Sequence, residues 1–422
     1  MSRIVEPARR RALSHVGGAV TLTGDPDDAA RLAAAVAVPT SAEAEELARA
    51  HVHGFHSYPA RMHPLTARRL VESFSRPGDL VLDPFCGSGT VLVEARLLGR
   101  AVVGVDANPL AVRLSRLKIA PTTPEQRARW IEAAREAAAF ADARRKARAG
   151  PTHRYGPADV ALFAPHVLLE MDGLRAGIDR LADGEARSAL DLVFSAILTK
   201  VSRREADTAD REVEKRIAAG YPARLLVRKT EELVTRLAEV APRLAGQHLG
   251  HLVIEGDARR LDRVADGSVA LAVTSPPYPG NYDYLAHHAA RLRWLRLPPE
   301  RFDLDEIGAR RRLDPLGAAA GAARWREEIG AVLSAIGRAL ARGDDPGAAV
   351  LLLADSVVAG APVYALDLVR AAAAAAGLIV TAAASQARPH FHAASARAFA
   401  RRPRAEHAIL LRPARSDRRP PR

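Results

Sequence analysis

Two short stretches carry side chains able to do chemistry at the ends of apolar runs. At 83–90 the text reads DPFCGSGT, where Gly87 and Gly89 let the backbone approach a ligand with no Cβ in the way. A helix following such a loop offers free N–H groups. No Gly-Lys-Ser/Thr follows, so this is not a triphosphate-binding loop, and the third glycine of the dinucleotide fingerprint is missing. At 274–278 the text reads TSPPY. Adjacent prolines cannot donate to a β-ladder and hold the chain on an extended, stiff path, which presents a serine and a tyrosine at fixed positions. Asp83, Asp106 and Asp257 each end an apolar run. An acid after the second strand of a nucleotide-binding sheet accepts both hydroxyls of a ribose. Asp257 suits an adenine amino group and Asp83 a cationic amine. A ligand with adenosine and an amino group is S-adenosylmethionine rather than NAD.

The elements that must position these groups follow from periodicity and punctuation. FHSYPARMHP reads as a turn, TARRLVESFS as a short amphipathic helix and RPGD as a turn feeding the strand LVLDPF. GSGTVLVEARLLG is a loop and a helix ended at Gly99, and AVVGVDANP is a second strand. Asn108 then caps a helix with Pro109 at its first position. Strands return in HLVIEGDA, VALAVTSPPY, GAAVLLLADS, GLIVTAAASQ and EHAILLRP. This order predicts an α/β, doubly wound, Rossmann-like fold with a mainly parallel seven-stranded sheet. Residues 121–247 read as a helical insertion, residues 1–52 as a helical N-terminal extension, and 413–422 as a disordered basic tail.

In this order, DPFCGSGT, GVDANP, EGDA and TSPPY resemble the class I S-adenosylmethionine-dependent methyltransferases that modify exocyclic amino groups of DNA bases, cytosine N4 or adenine N6. FHSYPARMHP resembles that family's additional cofactor motif. The resemblance covers residues 53–120 and about 250–412, implying a catalytic domain of 53–120 and 248–412. It implies cofactor contacts at Tyr58, Pro59, Asp83, Pro84, Phe85, Gly87, Gly89, Thr90, Asp106, Ala107, Asp257 and Ala258. Ser275 and the Pro276 carbonyl would accept hydrogen bonds from the target amine, Pro277 would hold the geometry, and Tyr278 would stack on a base extruded from double-stranded DNA. Serine before the double proline is common in cytosine-amino members, whereas Asp or Asn is usual in adenine members, so Ser275 points to cytosine N4. Adenine N6, an RNA base amine, and a non-catalytic nucleic-acid-binding protein stay open as alternatives, and a cognate restriction nuclease is an expected partner. The long insertion between Asp106 and Asp257 departs from the family's usual placement of target recognition, which is therefore sought in 121–247 and 281–315.

The net charge of +13 and pI near 10.5 suit a polyanionic partner. Only five of the 62 basic residues are lysines, a bias that a GC-rich genome also produces. Two basic stretches are candidates for substrate contact, 199–229 and GARRRLDP at 308–315. Tyr282, Asp283 and Tyr284 are candidates for the border of the base pocket. A single cysteine, Cys86, excludes an internal disulfide framework. It sits inside the glycine loop rather than after a proline, and reads as a packed residue, not a thiolate nucleophile. His51, His53, His56 and His63 lack zinc-site spacing, and His287 and His288 read as helical residues beside the site, so no metal is expected. No run of about 20 apolar residues or secretory leader is apparent, and a cytoplasmic protein is expected.

Overall fold

A computed structural model describes residues 18–39, 41–205, 212–389 and 393–414. Its strands are β1 (Val20–Gly24), β2 (Leu80–Asp83), β3 (Ala101–Asp106), β4 (His251–Glu255), β5 (Leu271–Thr274), β6 (Ala348–Ala354), β7 (Ser356–Val358), β8 (Ala361–Val363), β9 (Leu378–Ala387) and β10 (Ala405–Pro413). Eight form one sheet in the order β1-β9-β10-β6-β5-β2-β3-β4, and β7 and β8 make a separate hairpin. β4, β3, β2, β5 and β6 run parallel, whereas β10 is antiparallel to both β6 and β9.

All seven expected strands are present, and the sheet has one more. The eighth is β1, antiparallel to β9 at the edge, within the N-terminal segment read as helical. Its sequence, VTLTG, is a β-branched run bounded by glycine. The alanine-rich helix Pro26–Val36 that follows is as expected from composition. Residues 1–17 of that extension and 415–422 of the basic tail lie outside the described residues.

Successive strand residues point to opposite faces. Val81, Val102, Val253, Leu271 and Val350 join one core, and their neighbours Leu82, Val105, Ile254, Ala272 and Leu351 join the other. Both faces are therefore covered, as a parallel sheet requires. Helices Ala318–Ala339 and Ala365–Ala375 cover the second face. The first carries Pro26–Val36, Pro64–Phe74, Thr90–Leu97 and Pro109–Ile119. Between β3 and β4 the chain also runs through helices Pro124–Lys146, Pro157–Leu162, Pro165–Asp179, Gly184–Val201 and Tyr221–Leu244, whose apolar residues belong to that same first core.

Candidate active site at the carboxyl edge of the sheet

The glycine loop follows β2 and is pinned from below. Asn108 caps the helix Pro109–Ile119, its side-chain oxygen accepting from the Leu110 N–H at 3.0 Å. One turn further, Ser115 Oγ donates to Gly87 O at 2.9 Å, and buried Lys118 Nζ donates to Ser88 O at 2.8 Å. Burial, aided by the Arg61 charge, pushes the Lys118 ammonium well below its ordinary pKa. Gly89 has φ +82°, and a Cβ there would come within 2.8 Å of Ser115 Oγ. Glycine is needed at this point for both conformation and space. Gly89 makes no side-chain cap, so the first N–H groups of the helix beginning at Thr90 are left for other partners.

Three carboxylates stand at this edge in different states. Asp106 ends β3; its Oδ2 accepts from Gly87 N–H and its Oδ1 from Asn108 N–H, each at 2.8 Å. Burial nevertheless raises its pKa to about 6. Asp83 is buried, and its Oδ1 accepts from Thr274 Oγ1 at 2.7 Å and from Phe85 N–H at 3.1 Å. Burial lifts Asp83 to about 7, so at neutral pH it gains by meeting a cation. Asp257 lies beyond β4 and is held by Arg259, whose Nε is 2.9 Å from each carboxylate oxygen. With Val105, Ile254, Gly256 and Leu261 it lines a cavity of about 310 Å³. Ala258 is buried beside it, and Ala107 is half-buried after Asp106.

Tyr58 stands over the loop, its ring 3.4 Å from where a Gly87 Cβ would lie. Its hydroxyl accepts from Asn108 Nδ2 at 3.2 Å, and its ring stacks on His288 with centroids 4.8 Å apart. Pro59 is half-buried next to it, Pro84 is buried, and Phe85 packs against the second core. His56 Nε2 lies 2.9 Å from Ser195 Oγ, and Arg291 Nε donates to Ser195 O, which ties helix Gly184–Val201 to both sides of the site. Buried Cys86 packs against Gly104, and burial raises its thiol pKa well above the ordinary value.

The proline stretch begins where β5 ends, next to β2. Thr274, its first residue, is the one that reaches Asp83. Trp325 Nε1 donates to Pro277 O at 3.0 Å, and Ser356 Oγ donates to Pro279 O at 2.7 Å. Pro276 is buried, whereas Ser275, Pro277 and Tyr278 are partly accessible. Tyr278 Oη donates to Glu406 Oε1 at 3.1 Å. Burial and the Glu406 charge hold that phenol well above its ordinary pKa. Trp325, Ser356 and Glu406 escaped the sequence reading because nothing local to them marks a partner so far along the chain.

The arginines of 308–315 have partners within the protein, although Arg310 and Arg311 remain exposed. Arg310 donates to Gly280 O and Asn281 O, while Arg311 pairs with Asp283, Asp303 and Glu306. Arg312 also binds Asp303. Glu306 in turn accepts from Tyr284 N–H, at the start of helix Tyr284–Trp294, at 2.6 Å. Tyr282 lies beside Tyr284 and His287. In the stretch 199–229, Lys215 donates to Thr199 O and Arg204 O and Lys229 pairs with Glu232, while Arg224 and Arg228 are exposed. Residues 206–211 of that stretch lie outside the described residues.

Two of the upstream histidines meet a carboxylate that their spacing did not reveal. Ligand-capable atoms of His51, His53 and Glu94 lie within 4.8 Å of one another. His53 Nε2 sits 2.7 Å from Glu94 Oε1, and the surrounding charges of Arg68, Arg236 and Arg243 oppose a further cation. The group therefore reads as a buried hydrogen-bonded pair. His63 caps its own helix through Leu65 N–H.

Residues 39–116 match the N6/N4 methyltransferase model, described as DNA methylase. This segment of the chain, which holds the glycine loop, β3 and most of the helix after it, is similar to that family. The type II methyltransferase M.MvaI of Kocuria varians is 39% identical over 82 residues, 19% of this chain and 18% of that protein. M.MjaII of Methanocaldococcus jannaschii is 33% identical over 69 residues, 16% of this chain and 13% of that protein. A tRNA (guanine(10)-N2)-dimethyltransferase of Methanothermobacter thermautotrophicus is 50% identical over 60 residues, 14% of this chain and 18% of that protein. The chain thus spans less than a fifth of the length of these relatives. Among solved structures, the rRNA methyltransferase aviRa of Streptomyces viridochromogenes aligns over 88% of this chain and 94% of its own at 13% identity and a TM-score of 0.31, too low to carry an argument. Similarity to this family implies S-adenosylmethionine as methyl donor. The pinned glycine loop suits such a ligand, as do buried Asp83 and half-buried Asp106, which form no ion pair among the described residues. Among the described residues, no helix is long and apolar enough to cross a membrane.

Proposed function

We propose that the protein transfers a methyl group from S-adenosylmethionine to the N4 amine of cytosine in DNA. The observation that carries this reading is the rigid Ser275-Pro276-Pro277-Tyr278 stretch, which starts beside Asp83 through Thr274. Bound S-adenosylmethionine supplies an electrophilic sulfonium methyl. Asp106 would accept from its ribose hydroxyls, Asp83 would face its ammonium, and Asp257 would receive the adenine amine in the cavity it lines, using lone pairs that Arg259 leaves open. Tyr58, Pro59, Pro84, Phe85, Gly87, Gly89, Thr90, Ala107 and Ala258 would complete the walls.

An aromatic amine is a weak nucleophile because its lone pair is delocalised into the ring. Ser275 Oγ and the Pro276 carbonyl, accepting from the two amine hydrogens, would favour the pyramidal form and aim the lone pair at the methyl. Positioning of this kind is the main catalytic contribution available to the chain. The new N–C bond forms as the C–S bond breaks onto sulfur, and the surplus amine proton leaves to solvent. Base extrusion exposes the amine.

The test is methyl transfer from labelled S-adenosylmethionine to DNA and to total RNA, followed by nucleoside analysis. N4-methylcytosine in DNA is the expected product, and N6-methyladenine would redirect the substrate. A second reading, an RNA base amine, is favoured by relatives named tRNA (guanine(10)-N2)-dimethyltransferase. Label confined to RNA would select it. Pairing with a restriction nuclease would appear as a host that loses viability when this gene alone is removed.

A further inference from the structure

The cations of the insertion divide into those answered by partners and those that are not. Lys215 and Lys229 are held within the protein, whereas exposed Arg224 and Arg228 form no ion pair among the described residues. Four apart on helix Tyr221–Leu244, the two arginines share one face. Arg228 Nη2 donates to the Tyr221 hydroxyl at 3.3 Å, and its guanidinium lies over that ring.

Both line a groove of about 450 Å³ between helices Pro124–Lys146 and Tyr221–Leu244. Gly220 opens the second helix with φ +73°, and a Cβ there would lie 3.0 Å from Arg224 Nη1 and 3.7 Å from Arg145 Nε. Two guanidinium groups thus close on one point, where their charges repel unless an anion comes between them. The acids of the groove are already engaged, Asp142 with Arg145 and Lys146, and Glu231 with Arg135. Buried Glu170 accepts from the Gly220 N–H, so it is the arginine side chains, not the helix end, that remain for an anion.

These arginines stand at the end of the insertion that meets the proposed site. Helix Gly184–Val201 is joined to the site side by Arg291, which donates to Ser195 O and Thr199 Oγ1, and Lys215 donates in turn to Thr199 O. The other end of helix Tyr221–Leu244 is fixed by Arg243, which donates to Leu97 O at the close of the helix that begins at the glycine loop. About 28 Å of helix separates Arg224 from Arg243. A duplex with one base at the Ser275 stretch extends about 3.4 Å per base pair, so a few turns of flanking DNA match that scale.

We propose that Arg224 and Arg228, with Arg145 beside them, hold the phosphate backbone of DNA flanking the target base. This rests on the DNA-methylation reading above. The planar guanidinium fork matches phosphate oxygens, and such contacts set affinity and register without reading sequence.

The experiment measures binding of the full chain to a labelled duplex of about 30 base pairs by fluorescence anisotropy, as potassium chloride rises from about 50 to about 300 mM. Arg224→Ala and Arg228→Ala should each reduce the slope of log affinity against log salt by about 1, and the double variant by about 2. Arg224→Lys, which keeps the charge, should restore most of the slope. S-adenosylmethionine affinity by calorimetry should stay at the parent value. Partial misfolding would lower the active fraction without changing the slope. Arg76→Ala, an exposed charge in the turn before β2 at the opposite sheet edge, should leave the slope unchanged. An equal loss there would assign the effect to net charge and overturn the inference. The parent slope in the double variant, with DNA still methylated, would overturn the inference alone. Loss confined to an RNA hairpin, with duplex DNA at the parent slope, would overturn the DNA assignment. A parent protein that methylates neither DNA nor RNA would overturn the functional reading and the inference together.

Discussion

The glycine loop and the proline clamp lie side by side on one sheet edge but are supported in opposite ways. The loop's partners are sequence neighbours: Asp106, Ser115 and Lys118 stand 19, 28 and 30 residues from the groups they hold. The clamp's partners are remote: Trp325, Ser356 and Glu406 stand 48, 77 and 128 residues away. On the proposed reading, the cofactor cradle is built within one β-α-β-α unit, whereas the surface proposed to meet the substrate depends on the assembled sheet. Damage to the first should appear as lost cofactor affinity, and damage to the second as lost turnover.

The largest expected effect comes from removing the acceptor itself. Ser275→Ala should lower kcat on the order of 100-fold, as loss of one preorganised hydrogen-bonding group does elsewhere, while calorimetry shows unchanged S-adenosylmethionine affinity. Turnover equal to the parent would dismiss the clamp. Asp106→Ala should show the converse pattern, with affinity weakened roughly 10- to 100-fold from charge-assisted bonds worth about 1.5–3 kcal/mol, and kcat at saturation affected less. Equal losses in both quantities would erase the contrast drawn here.

Gly89→Ala tests the local brace. A left-handed residue gaining a Cβ against Ser115 should cost about 1–3 kcal/mol by urea unfolding. Trp325→Phe keeps a ring but leaves Pro277 O without its donor, and should cost about 1–3 kcal/mol with a parallel loss of kcat. The smallest effect is in pH. Ionised Asp83 and Asp106 favour the ammonium and ribose, and their raised values of about 7 and about 6 mean that binding weakens as pH falls from 8 to 5.5. Titration calorimetry over that range should show the slope shrink in Asp83→Asn. The same raised values make the folded carboxyls hold protons more tightly than the unfolded chain does. Stability of the ligand-free protein should therefore decline as pH rises from about 4 to 7.

These supports also set what could be read in advance. Asn108 and Pro109 announce their helix, and DPFCGSGT announces a loop, because cap and turn chemistry is written in adjacent residues. The seven expected strands were legible from apolar runs between turns. β1 was not: it is five residues long and mostly exposed, so it lacks the alternation that marks a strand. The acidic partners of Arg311 and Arg312 were not legible, because charge counting ignores where Asp283, Asp303 and Glu306 arrive in space. Glu94 likewise reaches His53 only once its helix has docked.

The pairing of β1 with β9 has a consequence for biosynthesis. Val20 lies opposite Gln386, so this strand finds its partner only far along the chain. During translation that strand must wait exposed while the rest of the sheet is made, since pairing across so long a loop gains nothing until the far strand exists. Its hydroxyl-bearing positions Thr21 and Thr23 and its short length limit the hazard of that wait. Closure of this edge is then a late step of folding, and protection of its amides in pulsed hydrogen exchange would time it.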